Sequence, residues 1–359
     1  MGKAGFSASR ADYTSLALHP TTGAPYVAYV DGGNSNKATV MTLTDGAWSA
    51  VGKAGISGAE AYYTSLALHP STGAPYVAFQ DPYNSNKATV MFYNNGAWSV
   101  LGLASVSAGR AKYTSLALHP TTGDPFVAYV DGANSDKATV MTYANGTWSV
   151  VGTAGFSDGS AKYTSLALHP TTGVPYVAYV DGGNSNKVTV DYFTKGDFFS
   201  LGQAGGFSGK NAEYASLALH PTTGVPYVAY MDGSNSYKAT VMYYSQGAWV
   251  VLGLGGVSAG SAKYTSLALH PTTGAPYVAY VDGAASDKAT VMTYASGAWS
   301  AVGSAGFSAG SALYTSLALH NTTGVPYVAF NDAANSNKAT VMGWQPPPSP
   351  PSSPSPPAR

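Results

Sequence analysis

Seven histidines recur at one position of a repeated segment, and histidine is both a common metal ligand and a side chain that titrates near neutral pH. Metal ligands must converge within a few Å, whereas sevenfold repetition spreads equivalent atoms around a circle. We therefore interpret them as residues that stabilise a turn, with a pH-sensitive ring as the alternative. The seven are His19, His69, His119, His169, His220, His270 and His320.

A second repeated set places Asn three residues after Asp and ahead of a Lys. Oxygen atoms in one short loop could hold Ca²⁺, or could hydrogen-bond sugar hydroxyls beside the tyrosines. The loops lack the alternating Asp pattern of a calcium loop, so Asx turns that fix the loop are the favoured interpretation, with ligand binding as the alternative. We predict no resident metal or cofactor. The candidate ligand-binding residues are Asp31, Asn34, Asp81, Asn84, Asp131, Asn134, Asp181, Asn184, Asp232, Asn235, Asp282, Asp332 and Asn335.

Two positions vary most between the repeats, and both are predicted to lie on the face of these Asp loops. Variable side chains on a repeated frame are typical of an interaction surface, and equally of unconstrained loops. The first position holds Arg10, Glu60, Arg110, Ser160, Asn211, Ser261 and Ser311. The second holds Asp12, Tyr62, Lys112, Lys162, Glu213, Lys263 and Leu313.

Catalysis requires one asymmetric group of side chains with separated pKa values, whereas the Asp, His and Lys residues of this frame recur in equivalent surroundings. The sequence contains no Gly-x-Ser-x-Gly, phosphate-loop or metalloprotease-helix motif. We predict that the protein is not an enzyme. A unique site built by loops around a channel is the alternative.

The elements that must position these residues follow from the repeat itself. Repeats begin at Tyr13, Tyr63, Tyr113, Tyr163, Tyr214, Tyr264 and Tyr314. The first repeat reads as four short strands near 14–18, 25–30, 38–43 and 48–51, separated by turn-forming clusters. Seven four-stranded meanders without helical periodicity predict an all-β, seven-bladed β-propeller over residues 1–344; a linear β-solenoid is the alternative.

The pattern Ser15-Leu16-Ala17-Leu18, Gly23, 25–29, Asp31 and Asn34 resembles the NHL-type propeller repeat in all seven units. The resemblance implies that the first strand of each repeat is innermost, which places residues 13–18 beside the central channel and Trp48 at the rim. His19 stands where such repeats often carry Asp, so no active site is carried over.

The seventh repeat is incomplete, because the chain passes from Trp344 into Pro346-Pro347-Pro348 without a Gly-Ala-Trp-Ser strand. We predict a three-stranded last blade, or one patched by residues 1 to 6, and a marginal seam. An extension upstream of residue 1 would explain the gap equally well.

Residues 345–359 are rich in Pro and Ser, which predicts an extended polyproline II linker or stalk. The Ser-Pro runs resemble hydroxyproline-rich cell-wall glycoproteins of plants and algae; a linker to a further domain or a docking peptide is the alternative. Asn145 and Asn321 begin N-x-Thr sequons and are candidate glycosylation sites. Tail and sequons favour an extracellular or cell-surface location, although residues 1–4 do not lead into an apolar signal core.

Composition narrows the class of partner. Lys and Arg number 17, and Asp and Glu also number 17, so the formal charge is zero and no phosphate-neutralising stripe is available. We predict no nucleic-acid partner, no membrane insertion and a monomeric propeller.

The function that these patterns favour is a noncatalytic extracellular binding or adhesion module. Multivalent recognition of a glycan or matrix protein would use the repeated Asp31-type loops. The alternatives are a structural disc on a proline-rich stalk and, third, a propeller enzyme of hydrolase or lyase type.

Overall fold

Each repeat folds into an antiparallel meander because β-branched and aromatic segments alternate with residues that form turns. In the first repeat, Val27 lies opposite Met41 and Tyr29 opposite Thr39, so the two central strands share one register. The computed structural model describes residues 2–253 and 255–344. The predicted tail at 345–359 lies outside the described residues.

Each of the first six blades has a long pair of central strands, an inner strand and a short outer strand. The strands are β1 (Ala11–Leu18), β2 (Pro25–Asp31), β3 (Lys37–Thr44) and β4 (Ala47–Ala50) in blade 1; β5 (Tyr62–Leu68), β6 (Pro75–Asp81), β7 (Lys87–Asn94) and β8 (Ala97–Val100) in blade 2; β9 (Ala111–Leu118), β10 (Pro125–Asp131), β11 (Lys137–Ala144) and β12 (Thr147–Val150) in blade 3; β13 (Ala161–Leu168), β14 (Pro175–Asp181), β15 (Lys187–Thr194) and β16 (Asp197–Ser200) in blade 4; β17 (Glu213–Leu219), β18 (Pro226–Asp232), β19 (Lys238–Ser245) and β20 (Ala248–Val251) in blade 5; β21 (Ala262–Leu269), β22 (Pro276–Asp282), β23 (Lys288–Ala295) and β24 (Ala298–Ala301) in blade 6; and β25 (Ala312–Leu319), β26 (Pro326–Asp332) and β27 (Lys338–Gly343) in blade 7.

A one-turn 3-10 helix joins the two central strands of every blade. These helices span Gly32–Asn34, Pro82–Asn84, Gly132–Asn134, Gly182–Asn184, Gly233–Asn235, Gly283–Ala285 and Ala333–Asn335. No helix in the described part of the chain is long and apolar enough to cross a membrane.

The blades follow one another in chain order and close into a ring. Strands pair sequentially within each sheet, four in blades 1 to 6 and three among the described residues of blade 7. Each inner strand packs beside the inner strand of the next blade, and β1 completes the circle against β25. The predicted seven-bladed propeller with a three-stranded last blade is confirmed, as is the innermost position of the first strand.

The hydrophobic core lies between blades rather than within them. Ala28, Ala38 and Val40 of blade 1 pack against Val77 and Phe79 of blade 2, and six further interfaces repeat this arrangement. Small side chains on one face therefore meet large ones on the next, which fills the space between twisted sheets. Both faces of the central strands are buried as a result, which is why their sequences are almost continuously apolar.

The seam between blades 7 and 1 is built by the amino-terminal segment. The Phe6 N–H donates to the Ala339 carbonyl and the Gly5 N–H to the Thr340 Oγ1, both at 2.9 Å. Gly5 and Phe6 thus hydrogen-bond to blade 7 without forming a fourth strand. Trp344 packs edge-on against Phe307, with ring centroids 4.9 Å apart. At the equivalent place in other blades, such as blade 1, the segment that joins two blades packs on an aromatic side chain of the fourth strand.

Two side-chain hydrogen bonds are peculiar to this seam. The Asn331 Nδ2 donates to the Ala11 carbonyl at 2.7 Å, and the Asn321 Nδ2 donates to the Pro20 carbonyl at 3.2 Å. In the other repeats the position of Asn321 is proline, and that of Asn331 is Val, Met or Gln. These bonds join the two ends of the described chain across the ring.

Candidate functional site

The seven histidines stabilise turns at one face of the propeller. The His19 Nδ1 accepts hydrogen bonds from the backbone N–H groups of Thr21 and Thr22, both at 3.3 Å, and every other repeat has the same pair. The opposite ring edge lies against the turn glycine of the next blade, Gly73 in this case. The turn interpretation is confirmed. Among the described residues, no three or more His, Asp or Glu side chains converge as a metal site would require.

The Asp31-type carboxylates are buried beneath their loops. The Asp31 Oδ1 accepts from the Gly33 N–H at 2.9 Å, while Oδ2 accepts from Asn34 Nδ2 at 2.7 Å and Thr39 Oγ1 at 3.0 Å. The equivalent Asp caps the 3-10 helix of every blade. The Asx-turn interpretation is confirmed, and direct ligand binding by these carboxylates stays a prediction. Their clear effect is to fix the loop that presents the following residues.

The amide partner of each carboxylate is less regular than the carboxylate itself. Asn84, Asn134, Asn184 and Asn335 donate to their own Asp as Asn34 does, at 2.7 to 2.8 Å. Asn235 makes no such bond in blade 5, and blade 6 carries Ala285 at that position. The loop shape is therefore held chiefly by the Asp cap.

The two candidate glycosylation sites lie on the histidine face. Asn145 is exposed in the turn between β11 and β12. Asn321 is exposed in the turn after β25, where its amide reaches Pro20. Modification at either position stays a prediction.

A ring of seven tyrosines surrounds the central channel on the Asp-loop face. Adjacent ring centroids are 4.7 to 5.0 Å apart around the whole circle. The tyrosine ring consists of Tyr13, Tyr63, Tyr113, Tyr163, Tyr214, Tyr264 and Tyr314, which together with the following residues line a cavity of about 220 Å³. In the sequence these tyrosines stand out only as the first residue of each repeat. Their recurrence at one position of every innermost strand was the signal available.

The backbone of each ring tyrosine is left-handed, with φ between 51° and 54°. Bulky residues seldom adopt this conformation, which costs about 1–2 kcal/mol each. It coincides with a bulge in the inner strand, such as the register shift between Asp12 and Ser15. The bulge turns the phenol ring towards the channel, and such strained positions cluster at functional sites.

Hydrogen bonds between inner strands hold the ring in place. The Thr14 hydroxyl donates to the Tyr314 carbonyl, and the Leu16 N–H donates to the Ser316 Oγ at 2.9 Å. Five further blades repeat the threonine bond, but blade 5 carries Ala215 instead. The Tyr163 carbonyl therefore lacks the hydroxyl donor that its six counterparts have.

The phenols remain protonated at neutral pH. Burial, followed by the neighbouring Tyr264, raises the pKa of Tyr314 to about 12. Burial is also the main cause that raises the pKa of Tyr13 and Tyr163. The ring thus offers neutral hydroxyls that both donate and accept hydrogen bonds.

The second variable position directly precedes each ring tyrosine, so these side chains lie beside the ring. Several of their side chains are already engaged. Arg10 pairs with Asp12 at 2.9 Å, Lys112 with Asp136 at 3.5 Å, and Lys263 with Asp287 at 3.4 Å. The repeated frame therefore presents side chains of different charge from one blade to the next.

A cleft between blades 4 and 5 encloses about 240 Å³ and is lined by Lys162, Tyr163, Asn186, Asn211, Glu213 and Tyr237, with Ala212 at its base. The Tyr163 hydroxyl donates to the Glu213 Oε2 at 3.3 Å. Lys162 makes no ion pair within the described residues, because Asn186 stands where blades 3 and 6 have the paired Asp136 and Asp287.

Blade 4 also contains a carboxyl group that no other blade has. Asp191 is buried in β15, and its Oδ2 accepts from the Tyr179 hydroxyl at 2.7 Å. Its Oδ1 and the nearby Thr189 Oγ1 have no hydrogen-bond partner in the described structure. Burial is the largest cause that raises the pKa of this carboxyl. Sequence analysis did not single out Asp191.

Comparison with known proteins adds information on the fold. No family model and no curated protein sequence matches this chain. Among solved structures it is similar to a mutant of Aleuria aurantia lectin in complex with Fucα1-6GlcNAc, with 12% identity, a TM-score of 0.55, and coverage of 86% of this chain and 100% of that one. The NHL-type resemblance stays a prediction.

Two further solved structures are comparable in similarity. The SapL1 lectin in complex with α-methyl fucoside is 15% identical, with a TM-score of 0.54, and the match covers 84% of this chain and 97% of that one. A PL25 ulvan lyase bound to -[GlcA(1-4)Rha3S]- is 12% identical, with a TM-score of 0.55 and 94% of both chains covered. At these identities the similarity concerns the fold alone.

Proposed function

We propose that this protein is a noncatalytic glycan-binding module of the cell exterior, with its binding clefts between blades on the face of the Asp31-type loops. The observation that carries the proposal is the tyrosine ring flanked by polar clefts. The seven equivalent tyrosines all have a left-handed backbone, and their rings, which pack on one another, line an open cavity.

The chemistry of this face suits sugars. A pyranose presents hydroxyls that donate and accept hydrogen bonds and a C–H face that packs on aromatic rings. The clefts offer phenol hydroxyls, Asn amides and single charged groups, and the chain as a whole has zero formal charge. Nothing in this surface favours a polyanion such as nucleic acid over a neutral polyol.

Repetition supports multivalent binding. A single small cleft would bind one sugar unit weakly. Several related clefts on one rigid disc would raise the affinity for a branched or repeating glycan. The similar propellers named as lectins, and the lyase bound to a polysaccharide fragment, support the view that this fold accommodates carbohydrates.

The absence of a catalytic role is part of the proposal. Glycoside hydrolysis ordinarily uses a pair of differently tuned carboxyl groups facing the sugar. The Asp31-type carboxylates are occupied by their own loops, and Asp191 is buried in β15. The cleft between blades 4 and 5 has one carboxylate among its lining residues, Glu213, and so lacks such a pair.

A glycan-array screen of the purified full chain at neutral pH, in Ca²⁺ and in EDTA, tests the proposal. We expect saturable binding that free sugar competes away and that EDTA leaves unchanged, because side chains rather than a metal would hold the ligand. A blank in both conditions would contradict glycan binding and favour the structural disc. Release of shorter oligosaccharides from a bound glycan would contradict the noncatalytic assignment.

A further inference from the structure

The cleft between blades 4 and 5 is one of the places where the sevenfold repetition of the propeller is broken. Blade 5 begins 51 residues after blade 4. It carries Ala215 where the other repeats have Thr after the ring tyrosine, and Tyr237 where the other repeats have Asn or Asp in the loop before the third strand. Glu213 stands where three repeats carry Lys. All of these changes border one cavity or the rim of the channel beside it.

From this geometry we propose that the cleft between blades 4 and 5 is the principal sugar site, and that it recognises a single neutral pyranose unit. The inference rests on the proposed glycan-binding function and names its dominant site and ligand class. The cavity of about 240 Å³ falls below the range of about 300–1,000 Å³ typical of drug-sized ligands, so it suits one sugar unit.

The cleft carries two charges of opposite sign, so it offers no net charge to a ligand. Glu213 makes one hydrogen bond among the described residues, from the Tyr163 hydroxyl, and its other oxygen is available to accept from a sugar hydroxyl. Lys162 has no ion-pair partner among those residues and can donate to a second hydroxyl. A charged sugar would be attracted by one of the two groups and repelled by the other, so its charge would gain little attraction to offset its lost hydration.

Aromatic and amide groups complete the site. Tyr237 is 49% exposed, an unusual state for a side chain of its size, and lies at the open side of the cleft. Its ring can cover the C–H face of a sugar, as aromatic side chains commonly do with amphipathic ligands. Asn186 and Asn211 supply both donors and acceptors. The other repeats have no exposed tyrosine at the position of Tyr237.

The test is a ligand-observed NMR titration of the full chain with methyl pyranosides, with glucuronic acid and glucosamine as the charged comparisons. We expect neutral pyranosides to bind more tightly than either charged sugar. The variant Glu213→Gln should weaken neutral-sugar binding about tenfold or more, because it removes a charged acceptor. The control Asp45→Asn removes a carboxylate from the turn on the opposite face, where other repeats carry Asn95 and Asn145, and should not change binding.

Each outcome decides a separate point. Equal weakening by Glu213→Gln and by Glu60→Gln, which alters the cleft between blades 1 and 2, would overturn the special role of this cleft while the glycan-binding function stands. Tighter binding of glucuronic acid or glucosamine would overturn the neutral ligand class. Failure of the unmodified chain to bind any sugar, here and on the array, would remove the proposed function itself. Circular dichroism of the variants separates loss of binding from loss of fold.

Discussion

Asp191 shows how one substitution alters a repeated environment. The other repeats carry methionine at this position, namely Met41, Met91, Met141, Met242, Met292 and Met342. In blade 1 the Tyr29 hydroxyl lies 3.1 Å from the Met41 Sδ, a contact that needs no charge. In blade 4 the same space holds a carboxyl group with one unpartnered oxygen, and a buried group of this kind destabilises the folded state.

Replacement of Asp191 by Met should therefore stabilise the protein by about 1–3 kcal/mol at neutral pH, the usual cost of an unsatisfied buried polar group. The folded-state pKa lies above the ordinary value of 3.8. The stability that this group contributes is thus complete below pH 3.8 and is lost as the pH rises through the raised pKa.

Urea denaturation at pH 3.5 and pH 7 measures this effect. The gain from Asp191→Met should be larger at pH 7 than at pH 3.5. The matched variant Asp191→Asn keeps an acceptor for Tyr179 and removes only the charge, so it should flatten the pH dependence. A gain of equal size at both pH values would mean that packing, rather than charge burial, decides the difference.

At the scale of single elements, the histidine turn depends on a close approach between blades. Gly123 has φ of +76°, and a Cβ placed there would lie 2.0 Å from the Nε2 of His69. Gly146, in the turn between β11 and β12, has a similar φ of +82° but no atom within 4 Å of the same added group. The two glycines separate backbone strain from steric contact.

Gly146→Ala should cost about 1–2 kcal/mol of unfolding free energy, the penalty of a left-handed alanine. Gly123→Ala should cost distinctly more, because His69 must also move and its ring must release the two backbone N–H groups of its turn. Thermal unfolding of both variants gives the comparison. Equal losses would show that the histidine ring yields freely and that the turn does not depend on its position.

The sequence predicted these elements well, because strand, turn and repeat signals are local. The innermost first strand and the turn role of the histidines follow the expected pattern. The tyrosine ring was not predicted, because a left-handed residue inside a strand arises from the bulge and not from local propensity. The cleft that contains Glu213 lies between two neighbouring blades. The sequence showed that several of its residues vary between repeats, but not that they line one cavity.

On the scale of the whole molecule, ring closure rests on packing and on hydrogen bonds across the seam. Blade 7 has an unpaired outer edge at β27 among the described strands, and β1 packs on β25 as every other pair of inner strands does. Asn331 and Asn321 add hydrogen bonds that the other interfaces lack. We therefore expect any weakness of the seam to be confined to its outer part.

Hydrogen exchange measured by mass spectrometry tests this distribution. Outward-facing amides of β27 should exchange faster than the matching amides of β23, which pair with β24. The inner strands β25 and β21 should exchange at similar rates, because both have equivalent neighbours on each side. Faster exchange of β25 as well would mean that the seam opens as a whole, and equal protection of β27 and β23 would contradict an unpaired edge.

The contacts between inner strands have a consequence for how such a chain arises and changes. The hydroxyl, the carbonyl and the apolar surface that join blades 1 and 2 are nearly the same as those that join blades 2 and 3 or 6 and 7. Most blades would therefore dock equally well on most others, and gene duplication or reshuffling of whole repeats would preserve every interface it created. Residues at the openings of the clefts can then change without altering the contacts between blades. New ligand preferences can therefore evolve while the ring assembles in the same way.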